Sequence, residues 1–394
     1  MTASSSAQPP GSGRQLAAFL LLFLWLEAGY VPLLRLTAQL SWPSALWQAA
    51  VCVLASPLLL LFVVNILSWA KDIRGLPRLL GPVFWVLLDL SQFALPWLGW
   101  SALLVSMNFT RLSWPDALGA AAAIAAFSYL NGLAIILIFR PKARDVQVTH
   151  HEVTVPNLPR PFHGYRILHL SDIHGGGWLP PPAIRARLRP AASLAPDIII
   201  FTGDLGASAR GNVESIAQLL GGLPSKQGIV GVLGNHDQWT GEERVVNALS
   251  AAGVRVLRNS HLAIARDGAT LYLAGVKDAS YTGSDDLPAA LEGIPDDAPV
   301  LLLSHTPGIV DQPLSARAFL VLSGHTHGGQ VVLPHIGPIH VPSRVERRLA
   351  SGLHQMDGRW LFVNRGLGEI FPPIRLNCPP EMALLTLRST LSSD

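Results

Sequence analysis

The sequence predicts a chain in two parts, a bundle of four membrane-spanning helices followed by an α/β domain. Three observations predict it. The apolar excess of the 394 residues, 49% hydrophobic against 14% charged, lies almost wholly before Arg140. From about Val146, short apolar runs alternate instead with helical stretches, the pattern of strands covered by helices. Several of those runs end in loops that carry Asp, Asn or His beside Gly. The division is then 1–14 as a disordered N-terminus, 15–140 as the four-span part, 141–160 as a linker and 161–390 as the α/β domain.

Residues 1–14 are rich in Ser, Gly, Pro and Ala, a composition that cannot bury a core. Four apolar stretches follow, approximately Leu16–Leu36, Ser44–Ala70, Gly81–Met107 and Ala117–Phe139. Each reaches the roughly 20 residues that an α-helix needs to cross the hydrocarbon layer. Arg14, then Lys71, Arg74 and Arg78, then Arg140, Lys142 and Arg144 lie on one side of these spans, against only Arg35 and Arg111 on the other. The positive-inside rule therefore puts the N-terminus, the middle loop and everything after the fourth span in the cytoplasm; the expectation is a multi-pass protein, in a cell inner membrane. Asp89 and Glu27 fall inside spans; each is a functional candidate, or a group near an interface or paired with a neighbouring helix. The formal charge of +3 and the lack of a basic run interleaved with aromatics give no reason to expect a nucleic-acid partner,. Two distant cysteines, Cys52 and Cys378, form neither a disulfide framework nor a metal knuckle,.

Five runs read as strands: Arg166–Leu170, Asp197–Phe201, Gly228–Leu233, Val300–Leu303 and Phe319–Leu322. Ile184–Leu194, Val213–Leu220 and Glu242–Ala252 read as helices, the first interrupted by Pro190,. Leu262–Ala274 reads as a hairpin turning at Asp267-Gly268,. The loops after the strands hold Asp172 and His174, then Asp204, then Asn235, His236 and Asp237, then His305, and finally His325 and His327. Taken alone, the last of these is also readable as a polar turn. In open α/β sheets, however, the site lies beyond the carboxyl ends of the strands, so all five loops can converge.

Two carboxylates, one amide oxygen and four imidazoles, with no sulfur, suit Mn, Fe, Zn or Co better than a structural zinc. Seven ligands exceed what one ion uses with a reactive position left open. Two ions about 3.5–4 Å apart that share a carboxylate accommodate them, the arrangement used for in-line displacement at phosphorus.

In order, D-x-H, G-D, G-N-H-D, a lone H and G-H-x-H occur here at Asp172–His174, Gly203–Asp204, Gly234–Asp237, His305 and Gly324–His327. In these blocks residues 161 to about 390 resemble the calcineurin-like metallophosphoesterases. The stretch Asn364–Gly368 with Pro373, Ile374 and Arg375 further resembles a membrane-associated bacterial branch.

The resemblance implies a four-layer α/β/β/α domain and two divalent transition-metal ions, Mn favoured over Fe or Zn. It also implies a residue-by-residue assignment. Asp172, His174 and His327 would hold one ion, Asn235, His305 and His325 the other, and Asp204 would bridge. His236 would be the catalytic acid at the leaving oxygen. Many relatives read G-D-x-x-D, the second Asp orienting that histidine; here Ala207 stands in its place. Either Asp237 takes over or the acid function is weakened.

Arg375 is a substrate-binding candidate able to grip a phosphate, or else a brace for the loop around Asn377. Arg344, Arg347 and Arg348 are a basic cluster that faces lipid headgroups or merely solvent,. Four spans exceed what an anchor requires. The expected activity is therefore hydrolysis of a phosphodiester or pyrophosphate in a lipid-linked substrate, UDP-2,3-diacylglucosamine being the example that the resemblance suggests. The alternatives are cyclic nucleotides or other soluble diesters, and a metal-bound sensor or scaffold without turnover.

Overall fold

Isoleucines at 198, 199 and 200 show how the fold is built, because successive side chains of a strand point to opposite faces. Ile198 and Ile200 enter one apolar core, Ile199 and Phe201 another. A strand buried on both faces reads as an unbroken apolar run, as expected for a parallel strand with layers on each side.

The computed structural model describes residues 145–177, 179–207, 212–278, 283–334, 336–343, 347–356, 358–370 and 373–390. The chain divides into two units, Met1–Arg140 and Pro141–Asp394, and the described residues belong to the second. The N-terminal stretch 1–14, the four apolar spans with Asp89 and Glu27, and Arg344 lie outside the described residues. Among those described, no helix is long and apolar enough to cross a membrane.

In chain order the elements are β1 (Gln147–Val155), β2 (Arg166–Leu170), α1 (Pro181–Leu188), β3 (Ile198–Thr202), α2 (Val213–Gly221), β4 (Ile229–Val232) and α3 (Asn235–Ala251). There follow β5 (Val254–Val256), β6 (Ser260–Arg266), β7 (Ala269–Gly275), α4 (Leu287–Leu291), β8 (Val300–Leu303), β9 (Ala318–Ser323), β10 (Val332–Leu333) and β11 (Gly337–Pro338). The last are β12 (Gly352–Met356), β13 (Arg359–Val363) and β14 (Glu381–Ser389). Two six-stranded sheets form, in the orders β1-β14-β2-β3-β4-β5 and β12-β13-β9-β8-β7-β6, beside the small β10-β11 pair. One core lies between the sheets, where Ile200 and Val232 meet Leu273, Leu303 and Leu322. A second packs the first sheet on α1, α2 and α3 through Ile184, Ile216 and Leu249. The third packs Leu302 and Val321 of the other sheet on Leu287 and Leu291 of α4. The result is the expected α/β/β/α layering.

Several boundaries differ from the sequence reading. Gln147–Val155 falls in the expected linker yet is a nine-residue strand paired in parallel with β14. Only its last part, Val153 and Val155, is buried, so its alternation is too faint to read, and its partner comes from the far end of the chain. The helix expected at Glu242 begins at Asn235 and breaks at Gly241, where φ is 115°. Its first turn therefore carries the third polar loop. Pro190 ends α1 in a 3-10 turn, Arg189–Ser193, as its missing N–H requires,.

A buried ion pair ties the C-terminal strand in place. Glu381 accepts from Thr149 Oγ1 at 2.8 Å, from Arg365 N at 3.1 Å and from Arg365 Nη2 at 3.1 Å. Burial pushes its carboxyl up, but Arg365 and these hydrogen bonds outweigh that and hold it below its ordinary range,. A depressed carboxylate stabilises the fold above its unfolded pKa, and that contribution is lost as pH falls through the folded value. Glu381→Gln should therefore destabilise the whole chain in detergent near pH 7 by about 1.5–3 kcal/mol, the range for hydrogen bonds to a charged group. The gap to wild type in denaturation midpoint should close as pH drops below the ordinary carboxylate range. A gap independent of pH would show that the charge does not matter.

Candidate metal centre at the strand ends

Asp172 and His174 follow β2, Asp204 follows β3, Asn235 opens α3 after β4, His305 follows β8, and His325 and His327 follow β9. The carboxyl ends of the two sheets' central strands thus meet at one place. Asp172, His174, Asp204, His325 and His327 all have positive φ, between 48° and 67°. Such backbone costs of order 1–3 kcal/mol each in non-glycine residues and persists where the surroundings enforce it, commonly at functional sites. Enforcement is visible here. His325 N donates to both Asp172 oxygens, at 3.1 and 3.0 Å, and His174 N donates to Asp204 O at 3.0 Å. A side chain at Gly234 would come within 2.2 Å of Asp204 Oδ1, and one at Gly324 within 2.2 Å of Asp172 Oδ2. Only glycine lets these loops close.

The donor atoms converge in overlapping groups. Asp172, His174 and His327 form one, His174, Asp204 and His236 a second, and Asp204, His305 and His325 a third, with the donor atoms in each within 4.8 Å of one another. His174 Nε2 lies 2.9 Å from His327 Nε2 and 3.4 Å from Asp204 Oδ2. His305 Nε2 lies 3.3 Å from Asp204 Oδ2, 3.2 Å from Asn235 Oδ1 and 3.1 Å from His325 Nδ1. His305 Nδ1 faces the carbonyl oxygen of Thr202 at 2.7 Å. A carbonyl only accepts, so Nδ1 carries a proton and Nε2 is the ring nitrogen that faces the carboxylate. Ligand atoms that face one another this closely fit bound cations, and among the described residues it is here that His, Asp and Asn donors gather.

The electrostatics agree. Burial pushes Asp172 and Asp204 up, but neighbouring histidines, His327 for the first and His305 for the second, outweigh it and hold both carboxyls below their usual range. Burial would lower His305, yet the Asp204 carboxylate holds it well above its ordinary value, so a cation bound at this position would displace a proton from Nε2. His325 and His327 are lowered, by burial first, which keeps them neutral as ligands must be.

His236 sits at the rim. Its backbone N donates to Asp204 Oδ1 at 2.9 Å, and its ring packs against His174 at 4.5 Å and Trp239 at 4.3 Å between centroids. Nδ1 lies 3.0 Å from the carbonyl oxygen of Ala207. The residue that replaces the expected aspartate therefore still orients the histidine, through its main chain, and fixes the ring proton on Nδ1. Asp237 does not do this. Its carboxylate accepts from the backbone N–H groups of Asp204, Leu205, Gly206 and Gly234 at 2.8–3.2 Å. Burial and the charge of Asp204 push it up to about 7, against those hydrogen bonds.

Of the two readings of Arg375, the geometry favours the brace, as its guanidinium is turned to backbone carbonyls. Its guanidinium donates to the carbonyls of Gly368 at 2.6 Å, Arg365 at 2.8 Å and Cys378 at 3.2 Å, with Nη2 at 3.4 Å from His327 Nδ1. Buried and surrounded by carbonyls, it braces the loops behind His327 and is not a phosphate grip. His169 is packed in the core, its Nε2 2.8 Å from Thr202 Oγ1 and its pKa pushed down to about 3 by burial. Sequence reasoning missed Trp239 and the carbonyls that Arg375 braces. The only available signals were the aromatic three residues after His236 and the glycines of Asn364–Gly368.

Comparisons with known proteins agree with this geometry. A family model described as calcineurin-like phosphoesterase matches residues 165–329. The metallophosphoesterase YkuE of Bacillus subtilis is 30% identical over 62% of this chain and 86% of its own length. A transmembrane protein with metallophosphoesterase domain from Danio rerio is 31% identical over 63% of this chain and 57% of that protein. The UDP-2,3-diacylglucosamine pyrophosphatase LpxG of Chlamydia trachomatis is 29% identical over 58% of this chain and 86% of LpxG. With its donors gathered at the strand ends in the order the family requires, this chain belongs to the calcineurin-like metallophosphoesterases and is a metal-dependent phosphoester hydrolase.

Proposed function

We propose that the chain is a membrane-anchored, dinuclear-metal phosphoesterase that hydrolyses a phosphodiester or pyrophosphate bond of a lipid-linked substrate such as UDP-2,3-diacylglucosamine. The observation that carries the dinuclear reading is Asp204, whose carboxylate belongs to donor groups on both sides of it. In this reading Asp172, His174 and His327 hold one ion, Asn235, His305 and His325 the other, and Asp204 both, with manganese favoured. Bound there, such ions neutralise phosphate oxygens and acidify water. His236, when its ring is doubly protonated, offers the Nε2 proton to the departing oxygen while Nδ1–H is held by the carbonyl of Ala207 and the ring packs on Trp239. The lipidic substrate is supported by the four apolar stretches before Arg140 and by the name of the relative LpxG. The same donors would serve soluble diesters, cyclic nucleotides included, so the substrate class rests on the membrane part.

His236→Ala should keep the metal content of wild type and lose rate by about 10²–10⁴-fold, the range for a lost general acid. Loss of metal together with activity would make His236 a ligand. The lipid reading predicts that the whole chain turns over an acylated substrate in micelles far faster than the same headgroup without acyl chains. Equal rates would favour the soluble-diester reading, and no turnover of either with metals bound would favour a sensor. A reporter fused after Asp394 should read as cytoplasmic, because the three Lys and Arg clusters lie on that side,; a periplasmic signal would reverse the orientation.

A further inference from the structure

From Gln330 to Ser343 the chain contains no Asp, Glu, Lys or Arg, and its middle is the β10-β11 hairpin. This hairpin stands beside the metal centre. Val332 N donates to Leu376 O at 3.0 Å, Ile339 N to Val331 O at 3.0 Å, and Asn377 Nδ2 to Val332 O at 2.9 Å. A side chain at Gly329 would meet Pro338 Cβ at 2.4 Å, so the hairpin presses on the loop that carries His327. Its base is therefore fixed, yet its apolar residues find no core. Val332, Leu333, Pro338 and Ile339 are only half-buried, and Ile336 at its turn is 66% exposed. Among the described residues the only other exposed large hydrophobic side chain is Leu314, at 45%. Beside β11 packs the turn Arg347–Leu349, whose two arginines are exposed while Leu349 is buried.

An apolar tip flanked by exposed cations is what an interface between acyl chains and anionic headgroups receives. The apolar side chains gain by leaving water, and the arginines gain from the negative surface potential. We infer that the hairpin tip around Ile336 inserts into the surface of an anionic bilayer, with Arg347 and Arg348 on the headgroups, and so sets the metal centre at the lipid surface. This rests on the membrane-anchored reading above, since it is the tether that would bring the domain within reach of lipid. It adds a second attachment, next to the chemistry, through which acyl chains could remain in the bilayer while the headgroup is cleaved.

The test uses the full chain carrying Cys52→Ser, reconstituted in vesicles of phosphatidylethanolamine and phosphatidylglycerol. A polarity-sensitive label is attached at Ile336→Cys or, as control, at Asp267→Cys on the exposed turn between β6 and β7. The label at 336 should be shielded from an aqueous quencher and reached by a lipid-borne one, and the label at 267 the reverse. Arg347→Glu with Arg348→Glu should lessen the shielding at 336. Ile336→Glu should slow turnover of an acylated substrate in these vesicles and leave a soluble chromogenic diester unaffected. A chain that floats with the vesicles but carries an aqueous label at 336 overturns the hairpin proposal and leaves the anchor standing. A chain that does not float overturns both.

Discussion

Two carboxylates closed off from water within reach of each other are the constraint on which this fold depends. Asp172 and Asp204 are essentially fully buried, and like charges in a low-dielectric setting disfavour one another's ionisation unless compensated. The compensation is spread over the whole domain. Backbone N–H groups of His325 and His236 are aimed at them, and imidazoles from both sheets approach them. The left-handed backbones after β2, β3 and β9 turn those groups inward. The two sheets are thereby locked at one edge by polar chemistry and along their faces by the apolar core between them. Cations in the middle would relieve the remaining charge, which makes the metal part of the architecture as well as of the reaction.

How much of this could be read from the sequence follows from where each signal resides. The central strands were legible because burial on both faces leaves continuous runs such as Ile198–Phe201 and Val300–Leu303. The hairpin at Asp267-Gly268 was legible because both residues take positive φ there. β1 and β14 were not, because each depends on a partner from the opposite end of the domain. Neighbouring Glu381 and Arg365, which fasten them, have no local pattern. The first half of α3 was hidden for another reason. Gly241 breaks it, and Asn235–Thr240, polar apart from Trp239, show no amphipathic pattern.

The site itself was legible residue by residue, since each strand ends in the donors that converge, but their supports were not. Ala207 leaves a substitute carboxylate or a weakened acid as the two readings, because sequence displays side chains and conceals carbonyls; its oxygen holds His236 nonetheless. Asp237 looked like the substitute, and its carboxylate is instead spent on four backbone N–H groups. Arg375 has the chemistry of a phosphate ligand or of a brace, and burial among carbonyls favours the brace. In each case the deciding fact is direction, which residue type does not encode.

The central claim is that Asp204 joins two ions in one centre, and its most direct measurement is the metal content of the purified full chain compared with Asp204→Ala. Two transition ions per chain in wild type, with a clear loss in the variant, is the predicted result. A single ion in wild type, or an undiminished pair without the shared carboxylate, would contradict it.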